Sequence, residues 1–98
     1  MPESGTALRT VRVTIKGTVQ GVGFRYWTEA VATELGLTGW VRNRADGSVE
    51  AVFSGSPEAV EEMLERCRNG PPSAHVDDVK TREGEPPPSP GFSVLRTA

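Results

Sequence analysis

Gly17, Gly21 and Gly23 fall within seven positions of one another, and Arg25 stands two residues past the last of them. Where Cβ atoms are missing, successive backbone N–H groups can turn inward on a single point, and such a concavity holds an anion. A helix beginning directly after the glycines adds its own unpaired N–H groups and the positive end of its dipole. Arg25, in the first turn of that helix, presents a planar fork suited to phosphate oxygens. A glycine cluster by itself marks no more than a tight turn. Arg25 shifts the balance, because a cation beside a positive helix end is unfavourable unless an anion lies between them. The Walker A spacing fails, since Val22 stands five residues after Gly17 and no Gly-Lys-Ser/Thr run follows; the dinucleotide fingerprint fails because Tyr26 holds its last glycine position. A phosphoryl group is indicated, and neither ATP nor NAD. Asn43 is the second residue of interest: its amide both donates and accepts, so it can orient a water without titrating.

The elements around these residues are legible from periodicity. Val11, Val13 and Ile15 alternate with Arg12, Thr14 and Lys16, the pattern of a strand with one buried face. Phe24, Trp27, Val31 and Leu35 mark one helical stripe closed by Gly36. Leu37 to Asn43 and Ser48 to Ser54 read as two strands of a hairpin turning through Arg44, Ala45, Asp46 and Gly47. Ser56 and Pro57 open a second helix whose apolar face is Val60, Met63, Leu64 and Cys67, and Asn69, Gly70 and Pro71 stop it. Val76 to Lys80 is a fourth strand in which Val76 and Val79 break alternation and suggest a bulge. Pro86, Pro87, Pro88 and Pro90 make a stiff connection to a short last strand, Phe92 to Leu95. The order βαββαβ predicts an α+β, ferredoxin-like sandwich with both helices on one face of an antiparallel sheet. In that topology the first two strands run parallel with the third between them, roughly 10 Å apart, so the glycine loop faces Asn43 across a gap for a phosphoryl group and a water.

With 98 residues, 36% hydrophobic and 24% charged, one core is expected over residues 1–98, with a flexible segment at 1–10. A net charge of −2 disfavours nucleic acid and anionic membranes, and strand three, Val49 to Phe53, lacks the paired exposed aromatics and basic residues of an RNA-binding sheet. No apolar run approaches the roughly 20 residues that span a bilayer, and the polar N-terminus lacks a signal core. A cytoplasmic monomer is expected. Cys67 reads as a small core hydrophobe and His75 as a solvated side chain without a relay partner. Glu58, Glu61, Glu62 and Glu65 beside Arg66 and Arg68 form a solvated helix face with no metal cluster. Trp27 and Trp40 are expected at the core, with Trp40 close enough to Asn43 to line the pocket.

The run Gly17, Thr18, Val19, Gln20, Gly21, Val22, Gly23, Phe24, Arg25 closely resembles the first motif of the acylphosphatase family. Gly39, Trp40, Val41, Arg42, Asn43, then Gly47, Val49 and Gly55 resemble the second, and the likeness extends from Val11 to Val94. The resemblance implies a hydrolase that splits small carboxyl phosphates into a carboxylate and inorganic phosphate without metal or organic cofactor. It assigns phosphate binding to Gln20, Gly21, Val22, Gly23, Phe24 and Arg25, and catalysis to Arg25 with Asn43, which positions the water. Two long motifs at the family's separation are specific. The tail departs from the pattern, with Leu95 and then Arg96 where relatives commonly place an aromatic or basic residue directly after the last strand. The alternative is a non-catalytic phosphate-binding module or a domain related to carbamoyl-phosphate chemistry, which turnover distinguishes.

Overall fold

A computed structural model describes residues 8–98. The chain runs β1 (Arg9–Thr18), α1 (Phe24–Glu34), β2 (Thr38–Asn43), β3 (Val49–Gly55), α2 (Pro57–Asn69), β4 (His75–Glu83) and β5 (Phe92–Val94). The sheet order is β4-β1-β3-β2-β5. Neighbours among the first four are antiparallel, with the ferredoxin-like connection expected, whereas β5 lies parallel to β2 and makes the sheet mixed. β4 and β5 are the two edges. The chain between them must cross about four strand spacings, roughly 19 Å. A polyproline stretch advances about 3.1 Å per residue, so the prolines between Gly84 and Gly91 supply the reach without a helix or turn.

Alternation decides which face of the sheet the helices cover. Val11, Val13 and Ile15 of β1 and Val49, Ala51 and Phe53 of β3 are buried, together with Val31 and Ala32 of α1 and Val60, Met63, Leu64 and Cys67 of α2. Helix α2 starts as expected: Ser56 Oγ accepts from the Ala59 N–H at 3.2 Å, and Pro57 occupies the first turn. Helix α1 ends where Leu37 N–H reaches Ala32 O at 2.9 Å and Gly36 N–H reaches Thr33 O at 3.1 Å, with Gly36 left-handed.

The irregular spacing of Val76 and Val79 has a structural cause. Lys16 pairs with Asp78 and Gly17 with Val76, so Asp77 is an extra residue in β4. The bulge turns Val76 and Val79 to the same side, and both pack on the core. Gly17 belongs to this bulge: a Cβ there would lie 2.1 Å from His75 O. It is therefore a close-approach position inside β1, and not part of the anion loop to which its spacing assigned it. The flexible segment expected at 1–10 is corrected at its end, because Arg9 and Thr10 pair with Gly55 and Ser54 as part of β1; its residues 1–7 lie outside the described residues.

Trp40 is also placed differently from the expectation. Along β2 it shares a face with Arg42, opposite to buried Val41, and therefore lies on the side of the sheet away from the helices. There its ring sits 5.5 Å from the Arg12 guanidinium and 4.8 Å from that of Arg42. Trp27 remains near the core, edge-on to Phe24 at 5.4 Å.

Candidate active site

The C-terminal ends of β1 and β2 open at one edge of the sheet, where the chain leaves β1 and enters α1. Residues 19–23 form the connection, with Gly21 at φ 76° and Gly23 at φ 78°. These are left-handed conformations, and Gly23 is also the cap residue of α1, with no side chain bonding the helix N–H groups. Nothing lies within 4 Å of the place a Cβ would occupy at either glycine, so it is their left-handed φ and not crowding that calls for glycine there. A small cavity of about 100 Å³ sits there, lined by Val19, Gly21, Gly23, Phe24, Arg25, Tyr26 and Asn43. One water takes up about 30 Å³ of liquid, so the space suits a compact tetrahedral anion and is too small for a nucleotide.

Of the residues singled out by sequence, the fold brings Gly21, Gly23, Phe24, Arg25 and Asn43 to this cavity. Phe24 is fully buried and anchors the start of α1 in the core. Val22 is half-buried against the core and does not line the cavity. Gln20 does not line it either: its side-chain Nε2 donates to Arg44 O at 2.8 Å and to Ser48 O at 2.9 Å. Those two carbonyls are the ends of the β2–β3 turn, in which Arg44 N–H bonds Ser48 O at 2.8 Å and Gly47 N–H bonds Arg44 O at 3.1 Å. Asp46 completes the turn by accepting from the Ser48 hydroxyl and N–H at 2.6 and 2.9 Å, bonds that hold its carboxyl below the usual value. Gln20 thus ties the glycine loop to the hairpin that carries Asn43.

Arg25 forms no ion pair among the described residues, and its guanidinium lies 5.9 Å from the Tyr26 ring centroid. Asn43 Oδ1 is buried and accepts no hydrogen bond from the described residues. A buried acceptor left without a donor is destabilising by about 1–3 kcal/mol, so its retention beside an arginine with no ion pair among the described residues points to a ligand or a bound water. The tail reinforces this end of β2. Leu95 N–H bonds Val41 O at 2.9 Å, Ala98 N–H bonds Asn43 O at 3.0 Å and Ala45 N–H bonds Ala98 O at 3.0 Å. These are backbone bonds, so Leu95 in place of an aromatic leaves them intact.

Two contributors escaped the sequence reading. Tyr26 lines the cavity, although it is 66% exposed; its position next to Arg25 at the helix start was the available signal. Glu50, on the outer face of β3, accepts from Arg12, Arg42 and Arg44 at 2.7, 2.9 and 3.1 Å and thereby fixes the hairpin from behind. Burial pushes its carboxyl up, but the three arginine bonds outweigh burial and hold it below the usual glutamate value. His75 and Cys67 take the exposed and core positions expected of them. His75 is exposed and pairs with Asp77 at 3.1 Å; Cys67 is buried, and burial pushes its thiol up to about 12, against a small opposing effect of Arg68. No group of three potential metal ligands exists among the described residues.

A glycine-turned loop, an arginine in a first helical turn with no ion pair among the described residues and an orphaned amide acceptor on a ferredoxin-like sandwich are the parts a phosphoryl-handling protein needs. The acylphosphatase family model matches residues 11–94, and the chain belongs to the acylphosphatase family as an enzyme of that type. An acylphosphatase of Rhodospirillum rubrum is 57% identical over 86 residues, covering 88% of this chain and 94% of that protein. One of Trichormus variabilis is 52% identical over 98% of this chain and 97% of its own length. The structure of an acylphosphatase from Coxiella burnetii superposes with a TM-score of 0.88 at 36% identity, covering 97% of this chain and all of that one.

Proposed function

We propose that the loop amides from Gln20 to Phe24 and the Arg25 guanidinium hold the phosphoryl group of a small acyl phosphate, and that Asn43 positions the attacking water. The observation that carries this reading is that Asn43, whose buried Oδ1 has no hydrogen-bond partner among the described residues, lines the same small cavity as Gly21, Gly23 and Arg25. Asn43 Oδ1 accepts a hydrogen bond from the water and points its lone pair at phosphorus. The water oxygen forms the new P–O bond while the bond to the acyl oxygen breaks, and its electron pair leaves on the carboxylate. The water's proton passes to a phosphate oxygen. Arg25 and the loop amides meet the negative charge on the transferred oxygens, which is where positioned donors lower the barrier. A carboxylate has a conjugate-acid pKa of about 4 to 5 and departs unprotonated at neutral pH, so the site needs no general acid. The cavity lining, which has neither a carboxylate nor a histidine, agrees with that chemistry.

In the same reading residues 1–98 work as one domain, a monomer in the cytoplasm, on a diffusible substrate. The large exposed hydrophobics among the described residues, Leu8, Tyr26 and Leu95, are scattered along the chain, and no helix there is long and apolar enough to cross a membrane. Phosphate release from a small acyl phosphate, compared with an aryl phosphate monoester, tests the mechanism. Release from the acyl phosphate is expected to exceed release from the monoester by at least about a hundredfold, because the monoester's phenolate, with a conjugate-acid pKa of about 10, is a far poorer leaving group. Comparable rates on both would point to a general acid and overturn the roles given to Arg25 and Asn43.

A further inference from the structure

The face of the sheet turned away from the helices concentrates positive charge that the cavity around Arg25 does not use. A shallow concavity of about 370 Å³ lies there, and its lining includes Arg12, Lys16, Arg44, Lys80 and Arg82 against two acids, Asp46 and Glu50. Its five cations and two carboxylates leave a formal +3 on a chain whose net charge is −2. Glu50 is already saturated by Arg12, Arg42 and Arg44, three guanidinium groups on one carboxylate. Lys16, Lys80 and Arg82 form no ion pair among the described residues. Arg12 and Arg82 stand directly opposite one another on neighbouring strands, a like-charge pairing that disfavours the sheet. Charged side chains on edge strand β4 guard against strand addition, which accounts for Lys80 and Arg82. It does not account for Arg12 and Lys16 of interior strand β1, which meet them.

We propose that this concavity is a second anion site, which takes a linear chain of two or more phosphoryl groups. Arg12 and Lys16 are four residues apart on β1, about 13 Å, with Lys80 paired to Thr14 between them. That line of cations is too long for one phosphate and matches a short polyphosphate lying along β1. The lining contains no aromatic residue, and Trp40 nearby is engaged by Arg12 and Arg42, so the face lacks the open stacking platform a single-stranded nucleic acid requires. Phosphate chemistry is thus shared by two sources, free inorganic polyphosphate and the phosphate tail of a nucleotide.

The test is calorimetric titration of the whole chain with inorganic tripolyphosphate, ATP and a 12-nucleotide single strand at low and physiological salt. Tripolyphosphate is expected to bind, with affinity falling steeply as salt rises. Lys80→Gln with Arg82→Gln, both at exposed positions, is expected to weaken it about tenfold or more while leaving acyl phosphate turnover unchanged. Arg25→Ala is expected to leave tripolyphosphate affinity within about twofold. ATP binding as tightly as tripolyphosphate shows that the phosphate chain is what the site reads; tighter ATP binding names the nucleotide as its source. Absence of tripolyphosphate binding at low salt overturns the proposal. So does binding that is lost in the Arg25 variant and kept in the double variant, or an oligonucleotide that binds where tripolyphosphate does not.

Discussion

Replacing Gln20 by alanine removes the two side-chain bonds that fasten the glycine loop to the β2–β3 turn, at 2.8 Å to Arg44 O and 2.9 Å to Ser48 O. Both carbonyls keep a backbone partner, Gly47 N–H and Arg44 N–H, so no orphaned acceptor is created and the loss falls in the ordinary net range for hydrogen bonds. The bond to Arg44 O is exposed and contributes about 0.5 kcal/mol; the part-buried bond to Ser48 O contributes about 1. Together they amount to about 1.5 kcal/mol, or roughly 7 °C in the melting temperature of a domain this size. The same energy separates the docked loop from undocked ones. KM for a small acyl phosphate should therefore rise by up to about tenfold, while kcat, once bound substrate holds the loop, falls no more than about twofold. Thermal melts and initial-rate kinetics on the same preparation measure both. Gln20→Glu should be worse than alanine, since it turns a carboxylate toward two carbonyl oxygens. If Gln20→Ala keeps wild-type KM and melting temperature, or Gln20→Glu is as active as the parent, the side chain is not the tether the geometry describes.

Arg25→Lys keeps the charge but loses the planar fork, and turnover should drop by about a hundredfold or more in steady-state assays. Asn43→Ala should lower kcat by a similar factor while inorganic phosphate still binds in calorimetry, since the anion contacts lie in the loop and Arg25; joint loss of both would give Asn43 a different role. Glu50→Gln should destabilise the chain by about 2 kcal/mol at neutral pH, seen as a lower urea midpoint, because it strips the charge partner from three arginines that remain partly solvated. Its folded carboxyl titrates below the usual glutamate value, so the wild-type advantage is present above the unfolded value and is lost as pH falls through the folded one; the two urea midpoints should converge below about pH 4. With no histidine or carboxylate lining the cavity, kcat at saturating substrate should be flat between about pH 6 and 8, and a limb near 6.5 would implicate a titrating group.

What could be read along the chain was whatever depends on near neighbours. Alternation in β1 and the three- and four-residue stripe of α2 are consequences of side chains projecting at periods of 2 and 3.6, so composition at each position names its face. The loop and its arginine were legible for the same reason: left-handed glycines, a helix start and Arg25 lie within a few residues of each other. The pairing of that loop with Asn43 followed from element order, because a crossover helix forces β1 and β2 to be parallel. Other assignments needed distances between residues far apart in sequence. Gly17 reads as one of the loop glycines until β4 is seen to bulge against it, with His75 O where a Cβ would go. Gln20 reads as a loop residue until its amide meets carbonyls 24 and 28 residues away. Trp40 reads as a core residue at the pocket, and Glu50 carries no assignment, until the sheet sets them among Arg12, Arg42 and Arg44. The difference is physical: backbone conformation is set by local sterics, whereas a hydrogen bond or an ion pair is decided by which strands the collapsed core brings side by side.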